Sequence, residues 1–267
     1  MKKVLLIDSH NLMHRARFGF GEGDHKIYFN FFRMLMGELK RHDPDITYIV
    51  DEGAPVQSKI LLEDYKGNRQ KLDDPQFHRE KKEIFETIKS KSGLVYIKHP
   101  DFECDDVIGF LSSVIHKNDD VTIVSTDSDF IQLIDNNTRL WHPKKKHYVE
   151  PWYCDYVTWK ALKGDSTDNV SGVSGVGKKR ADFLAQNKKD LESFLSANPD
   201  RQNQFNVSYQ VIKLKDVDLE GLVIRQSDFF ENMMFEEFSL RKCKSIIGNA
   251  WPKWVHQFKK TGGKHDL

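Results

Sequence analysis

The sequence predicts an α/β protein with a parallel-sheet core, a helical insertion and a helical C-terminal region. Three observations predict it. Residues 4–7 are a short continuous apolar run, as a strand buried on both faces requires, and 47–50 and 121–124 read as further strands. Helical stretches lie between such runs, which is the strand–helix–strand order of a parallel sheet. Beyond Asp155 the sequence turns mostly helical, with glycine punctuation. At 267 residues, 39% hydrophobic and 30% charged, the chain can bury one large core with an appendage.

The elements follow in order. Val4, Leu5, Leu6 and Ile7 form the first strand. Residues 29–40 repeat apolar side chains at helical spacing, and Pro44 helps to end that helix. Residues 47–50 are the second strand and 95–97 a short third. A helix over 105–116 puts Val107, Ile108, Leu111 and Ile115 on one face, before the fourth strand at 121–124. Residues 140–142 and 148–149 read as a short hairpin or edge pair around Pro143 and its lysines. Between the second and third strands, residues 57–91 are charged and helical, with Lys66, Arg69, Lys71, Arg79, Lys81, Lys82, Lys89 and Lys91. That stretch is too long for an ordinary connection and reads as an insertion, the plain alternative being a solvated amphipathic helix. The expected division is a core over 1–154 with an insertion at about 57–92, a helical region over 155–258, and a disordered tail over 259–267.

Composition narrows the function. Lys and Arg number 41 against 40 Asp and Glu, a net charge of +1, so a globally basic nucleic-acid coat is excluded while local patches are not. Three widely spaced cysteines, Cys104, Cys154 and Cys243, exclude a disulfide scaffold and a cysteine-rich zinc module. The apolar run before Asp8 is too short for a signal peptide, and no run approaches a membrane span. A soluble cytoplasmic monomer without membrane partners is expected.

The acids carry most of the information. Asp8 follows the first strand and Asp51 the second; Glu103, Asp105 and Asp106 open the helix after the third; Asp127 and Asp129, in STDSD, follow the fourth. Parallel strands deliver their C-terminal ends to one edge, where ligands bind. Asp105 and Asp106 alone would read as ordinary helix N-terminal acids. Acids at four strand ends in a row need cations, and Mg²⁺ or Mn²⁺ suits a carboxylate-and-water site. Cys104, among them, reads as a small buried residue. A response regulator does not need STDSD plus a second acidic loop. A haloacid dehalogenase-type phosphatase wants Asp-x-Asp after its first strand, where this chain has Asp8, Ser9 and His10.

A second constellation lies at 164–181. Asp165 and Asp168 are spaced to face one cation, and Gly172, Gly175 and Gly177 precede Lys178, Lys179 and Arg180. Glycines allow tight turns with exposed N–H groups, the following helix N-terminus favours anions, and the basic triplet adds phosphate contacts. This is how a helix–hairpin–helix, here over about 160–185, grips a nucleic-acid backbone without reading bases. The spacing is not that of a P-loop.

The stretches IDSHNLMHRA, YIVDEG, DYKGNR, FECDDVIG, STDSDF and KGDSTDNVSGVSGVGKKRA, in this order over residues 4–185, resemble the flap endonuclease / 5′→3′ exonuclease family. That family includes phage nucleases, some called ribonuclease H, and the 5′-nuclease domain of bacterial DNA polymerase I. The resemblance implies a PIN-like α/β core with a helical arch and a helix–three-turn–helix. It implies a first metal among Asp8, Asp51, Glu103, Asp105 and Asp106, and a second among Asp127, Asp129, Asp165 and Asp168. It further implies two Mg²⁺ ions, with Mn²⁺ as a substitute. Lys66 and Arg69 in the arch, with Arg15 from the core, would contact the scissile phosphate. Tyr65 and the glycine-lysine hairpin would contact DNA. Carbonyls near Leu162, Lys163, Ser171, Val173 and Val176 would hold K⁺. The implied substrates are DNA with a 5′ flap or nick and RNA–DNA primers, with replication proteins as partners.

The chain departs from the family pattern at Ser58, Cys104, Ser171 and Ser174, where arginine, a small residue and prolines are usual. All nine carboxylates are nonetheless present. Two rival readings are a branched-DNA binding module without chemistry, which missing acids or a missing Lys66 would favour, and a PIN-type ribonuclease, which the glycine hairpin disfavours.

Overall fold

The structure, a computed structural model, describes residues 1–69, 73–265 and 267. Lys71 of the insertion and Asp266 of the tail lie outside the described residues. The chain forms two units, one of residues 1–53, 73–149 and 217–267, the other of 54–72 and 150–216.

The first unit holds a seven-stranded sheet: β1 (Lys3–Asp8), β2 (Ile46–Val50), β3 (Val95–Lys98), β4 (Asp120–Val124), β5 (Thr138–His142), β6 (His147–Tyr148) and β7 (Val223–Arg225), in the order β6-β5-β4-β1-β2-β3-β7. The inner strands are parallel, with Asp8 opposite Val50 and Ile7 opposite Val124. β1 from Val4 to Ile7 is a continuous apolar run and β2 is buried throughout, as strands covered on both faces are. Leu6, Tyr48, Val50, Ile97, Val107, Ile108, Ile123 and Phe130 belong to one core cluster.

Helices α1 (Ser9–Arg17), α2 (Lys26–His42), α4 (Pro75–Lys91) and α5 (Cys104–Phe110) complete this part of the unit. The helix expected at 29–40 runs longer, ending at Asp43 in the left-handed conformation. The helix expected at 105–116 begins as α5 and finishes as a π-helical turn over Leu111–Ile115. α4 is no merely solvated helix: it buries Phe77, Ile84, Phe85 and Ile88, Asp74 caps it, and Glu80 accepts the Tyr28 N–H at 2.6 Å.

The C-terminal segment corrects two expectations. Residues 217–267 belong to the first unit because β7 pairs antiparallel with β3, and Phe238 of α10 (Glu231–Leu240) packs against Tyr28 and Phe32. The tail is ordered past Lys259. α12 (Trp251–Thr261) takes in its start, Gly262 bridges Ile46, and the Gly263 N–H donates to the Asp45 carbonyl. The sequence shows a glycine pair and misses those backbone partners.

The second unit contains α3 (Val56–Leu61), α6 (Tyr156–Lys163), α7 (Lys178–Gln186), α8 (Lys188–Ser196) and α9 (Pro199–Ile212). Its small core joins Tyr65, Val157, Ala161, Val170, Val211 and Ile212. The insertion is thus divided, with DYKGNR in this unit and α4 in the first. Among the described residues no helix is long and apolar enough to cross a membrane.

Candidate active site

The parallel register brings the ends of β1, β2 and β4 to one edge of the sheet. Asp8 serves there as the N-cap of α1, accepting the Asn11 N–H at 2.9 Å. Its other oxygen accepts the Ser125 hydroxyl at 2.7 Å, and Ser125 Oγ in turn accepts the Asp127 N–H at 3.0 Å. Burial, reinforced by the charge of Asp127, pushes the Asp8 carboxyl up to about 6. A buried acid facing a second acid, both with oxygen donors, is chemistry that a hard divalent cation relieves.

Asp51 is managed differently. Its Oδ2 accepts the Tyr96 hydroxyl at 2.8 Å and its Oδ1 the Glu52 N–H at 2.8 Å. Two ammonium groups also face it, Lys81 of α4 at 3.2 Å and Lys98 of β3 at 3.7 Å. Burial and the Asp51 charge both push the Tyr96 phenol far up, so it stays a hydrogen-bond donor.

α5 opens on the third acidic group. Glu103 and Asp106 form a reciprocal capping box, with the Glu103 N–H donating to Asp106 at 3.3 Å, and both are buried. Glu52 reaches across to accept the Cys104 N–H at 3.1 Å. Cys104 is buried as expected, its sulfur 3.5 Å from the Val50 carbonyl oxygen. Burial first, then the charges of Asp8, Asp105, Glu52 and Asp51, push its thiol well above the usual range. Asp8 Oδ1 lies 3.9 Å from that sulfur. After β4, Asp127 accepts the Asp129 N–H at 2.9 Å. Arg15 lies half-buried on α1, with burial pulling its guanidinium down and Glu38 opposing.

The remaining sequence-predicted residues are in the second unit. Burial would raise Asp165, yet Lys160, 2.6 Å away, holds it below the ordinary carboxylate range. Asp168 accepts from the Arg69 guanidinium and, at 3.3 Å, from the Tyr65 hydroxyl, with Lys66 Nζ 3.9 Å away. DYKGNR is pinned to the Asp165–Val170 loop by Asn68 donating to the Ser166 carbonyl and Asn169 to the Asp64 carbonyl. Tyr65, expected as a DNA contact, is 6% exposed and belongs to the small core of this unit.

The hairpin is built as its glycines require. Gly164 and Gly172 have φ of +82° and +71°, and a Cβ on Gly172 would meet the Gly164 nitrogen at 2.5 Å. The Val173 N–H donates to the Leu162 carbonyl, and the Val176 N–H to the Val173 carbonyl. Gly175 is also at positive φ, Gly177 caps α7, and Lys178, Lys179 and Arg180 are exposed on its first turn. Arg180 and Arg201 each stack on the ring of Phe194. Ser171 is exposed beside Gly172, and Lys163 ends α6.

Sequence reasoning missed Glu52, Tyr96, Lys98 and Ser125, and counted Lys81 only as arch charge. Glu52 and Ser125 adjoin the acids in VDEG and STDSD, a signal that was available. Lys98 is two residues from Tyr96 on one strand and so shares its face, but only the fold brings both to Asp51.

Residues 3–158 match the N-terminal resolvase-like domain of 5′-3′ exonucleases. A 5′-3′ exonuclease of Mycoplasmopsis pulmonis is 32% identical over 212 residues, covering 73% of this chain and 70% of that protein. One of Aquifex aeolicus is 30% identical over 281 residues, covering 92% and 94%. A DNA polymerase I of Lactococcus lactis is 30% identical across 93% of this chain, which spans 34% of the polymerase. Among solved structures, a bacteriophage T5 flap endonuclease complexed with DNA and metal ions matches with a TM-score of 0.67 at 18% identity, covering 98% of this chain and all of that one. The catalytic core of Rad2 with DNA substrate matches at 0.58 and 18%, covering 92% and 90%. At these identities the structural likeness establishes the fold.

Proposed function

This chain belongs to the 5′-3′ exonuclease family, and on that premise we propose that it is a structure-specific 5′-nuclease. It hydrolyses phosphodiester bonds near single-strand/duplex junctions, on DNA with a 5′ flap, a nick or an RNA primer. The observation that carries the reading is the gathering of acids at the strand ends of the first unit, where Asp8 lies opposite Val50, the neighbour of Asp51, and 3.9 Å from the sulfur of Cys104, which opens the acidic helix α5. Divalent cations, Mg²⁺ with Mn²⁺ as substitute, supply an activated water and stabilise the leaving oxygen when bound. Asp8, Asp51, Glu103, Asp105 and Asp106 would hold one ion, and Asp127, Asp129, Asp165 and Asp168 would hold the other. Lys66 and Arg69 neutralise the non-bridging oxygens as charge develops, and Arg15 assists from the core. Gly172, Gly175, Gly177, Lys178, Lys179 and Arg180 would hold the duplex backbone, and the carbonyls of Leu162, Lys163, Ser171, Val173 and Val176 would hold K⁺.

The test is cleavage of 5′-labelled flap, nicked and RNA-primed duplexes in Mg²⁺, in Mn²⁺ and in chelator. Short 5′ products that appear only with the cations are expected. Binding without cleavage in either ion would reduce the protein to a branched-DNA binding module.

A further inference from the structure

Asp51 carries more positive charge than its orientation needs. Both of its oxygens already accept good neutral hydrogen bonds, from Tyr96 and from the Glu52 backbone. Yet Lys81 and Lys98 also converge on it, from α4 and β3. At 3.2 and 3.7 Å these contacts are looser than the ~2.7–2.9 Å of a tight charge-assisted hydrogen bond. Both lysines border solvent, with side chains 25% and 35% exposed, while the carboxylate between them is 5% exposed. Lysine is the suitable cation for a partner that must move, being a compact charge on a flexible stem.

Two ammonium groups and a divalent cation cannot share one carboxylate at these distances, because their mutual repulsion exceeds what a single negative charge offsets. We propose that Lys81 and Lys98 are exchangeable counter-ions of Asp51. They hold its carboxylate in the metal-free protein, leave when a divalent cation takes it, and then grip the non-bridging oxygens of the phosphodiester. They are positioning residues for the substrate phosphate, and the inference rests on the nuclease reading above. Each lysine can turn without backbone movement, since the phosphate would sit beside the carboxylate that it leaves.

The test uses the full chain and the substitutions Lys81→Met and Lys98→Met, singly and together, with Lys81→Arg as the charge-conserving control. Mn²⁺ alone is titrated calorimetrically without DNA, and flap cleavage is then measured at saturating Mn²⁺. Removing both charges should tighten Mn²⁺ binding by roughly tenfold while slowing turnover, and Lys81→Arg should restore both. A lysine pair that only props up Asp51 predicts the opposite sign, weaker Mn²⁺ binding as the carboxylate loosens, and that result would overturn the proposal. Tighter Mn²⁺ binding with unchanged cleavage would overturn the phosphate contact. If the double variant melts early, Lys98→Met alone, at the more exposed position, must show the same change in Mn²⁺ affinity. Absence of cleavage by the wild type in any divalent cation would sink the nuclease reading itself. Wild-type cleavage together with unchanged Mn²⁺ affinity in the variants would remove only this inference.

Discussion

Asp8 and Asp51 end adjacent parallel strands and solve the same problem differently, one by a raised carboxyl and the other by lysines. The raised acid has a stability consequence with a definite sign. Asp8 has a folded value of about 6 against an ordinary 3.8, so between these values the unfolded chain binds fewer protons. The metal-free protein therefore loses stability as pH rises through that window. Asp8→Asn keeps an equally good helix cap and removes the titration. In chelator, its stability relative to wild type should be more favourable at about pH 8 than at about pH 4, read from denaturant midpoints. A pH-independent difference would mean that Asp8 is ionised throughout. Lys66 and Arg69 make a different prediction, because both face Asp168 in the structure. Lys66→Ala and Arg69→Ala should each lower flap turnover by ~10² or more, the worth of one oriented transition-state donor. Weaker substrate binding with intact turnover would deny them that part.

At the scale of elements, the glycine hairpin and α7 form a self-contained device. Gly172 cannot carry a side chain, and the charges that follow lie on the exposed first turn of α7. Lys178→Glu with Lys179→Glu should weaken duplex binding about equally for any sequence. Each lost phosphate contact should lower the slope of log affinity against log salt by ~0.9. A salt titration in Ca²⁺ measures this, and an unchanged slope would place the duplex elsewhere. This device was legible in advance because glycine spacing and a basic triplet are local signals. The inner strands were legible for the same reason, each being a short run of mostly apolar, largely β-branched residues. β7 was not, since Val223, Ile224 and Arg225 have no pattern of their own and become a strand only by pairing with β3. The acids at the strand ends could be read from sequence because a parallel sheet converts sequence position into spatial position. Lys98 could not, because its contact with Asp51 depends on how two neighbouring strands align.

The whole molecule departs most from the sequence reading in its C-terminal fifty residues, which return to the sheet. They bury Met234, Phe238, Ile246, Trp254 and Phe258, and Gln257 donates to the Leu39 carbonyl at 3.1 Å. Large buried side chains contribute roughly 1.5–3 kcal/mol each, so the segment rivals a domain's entire stability of about 5–15 kcal/mol. A chain ending at Asp216 should lose its cooperative thermal transition and its near-ultraviolet circular dichroism. A sharp transition at the wild-type temperature would show the segment to be an accessory. The returning segment also sets an order of assembly during synthesis. The ribosome releases every residue of the smaller unit, through 216, before any of β7. The helical unit can therefore close while β3 still presents an unpaired edge carrying Tyr96 and Ile97. An open strand edge is a template for another nascent chain, and here it is sealed only by a segment translated after the smaller unit. Slow translation or premature termination between residue 216 and β7 should thus yield aggregates rather than shortened but folded protein.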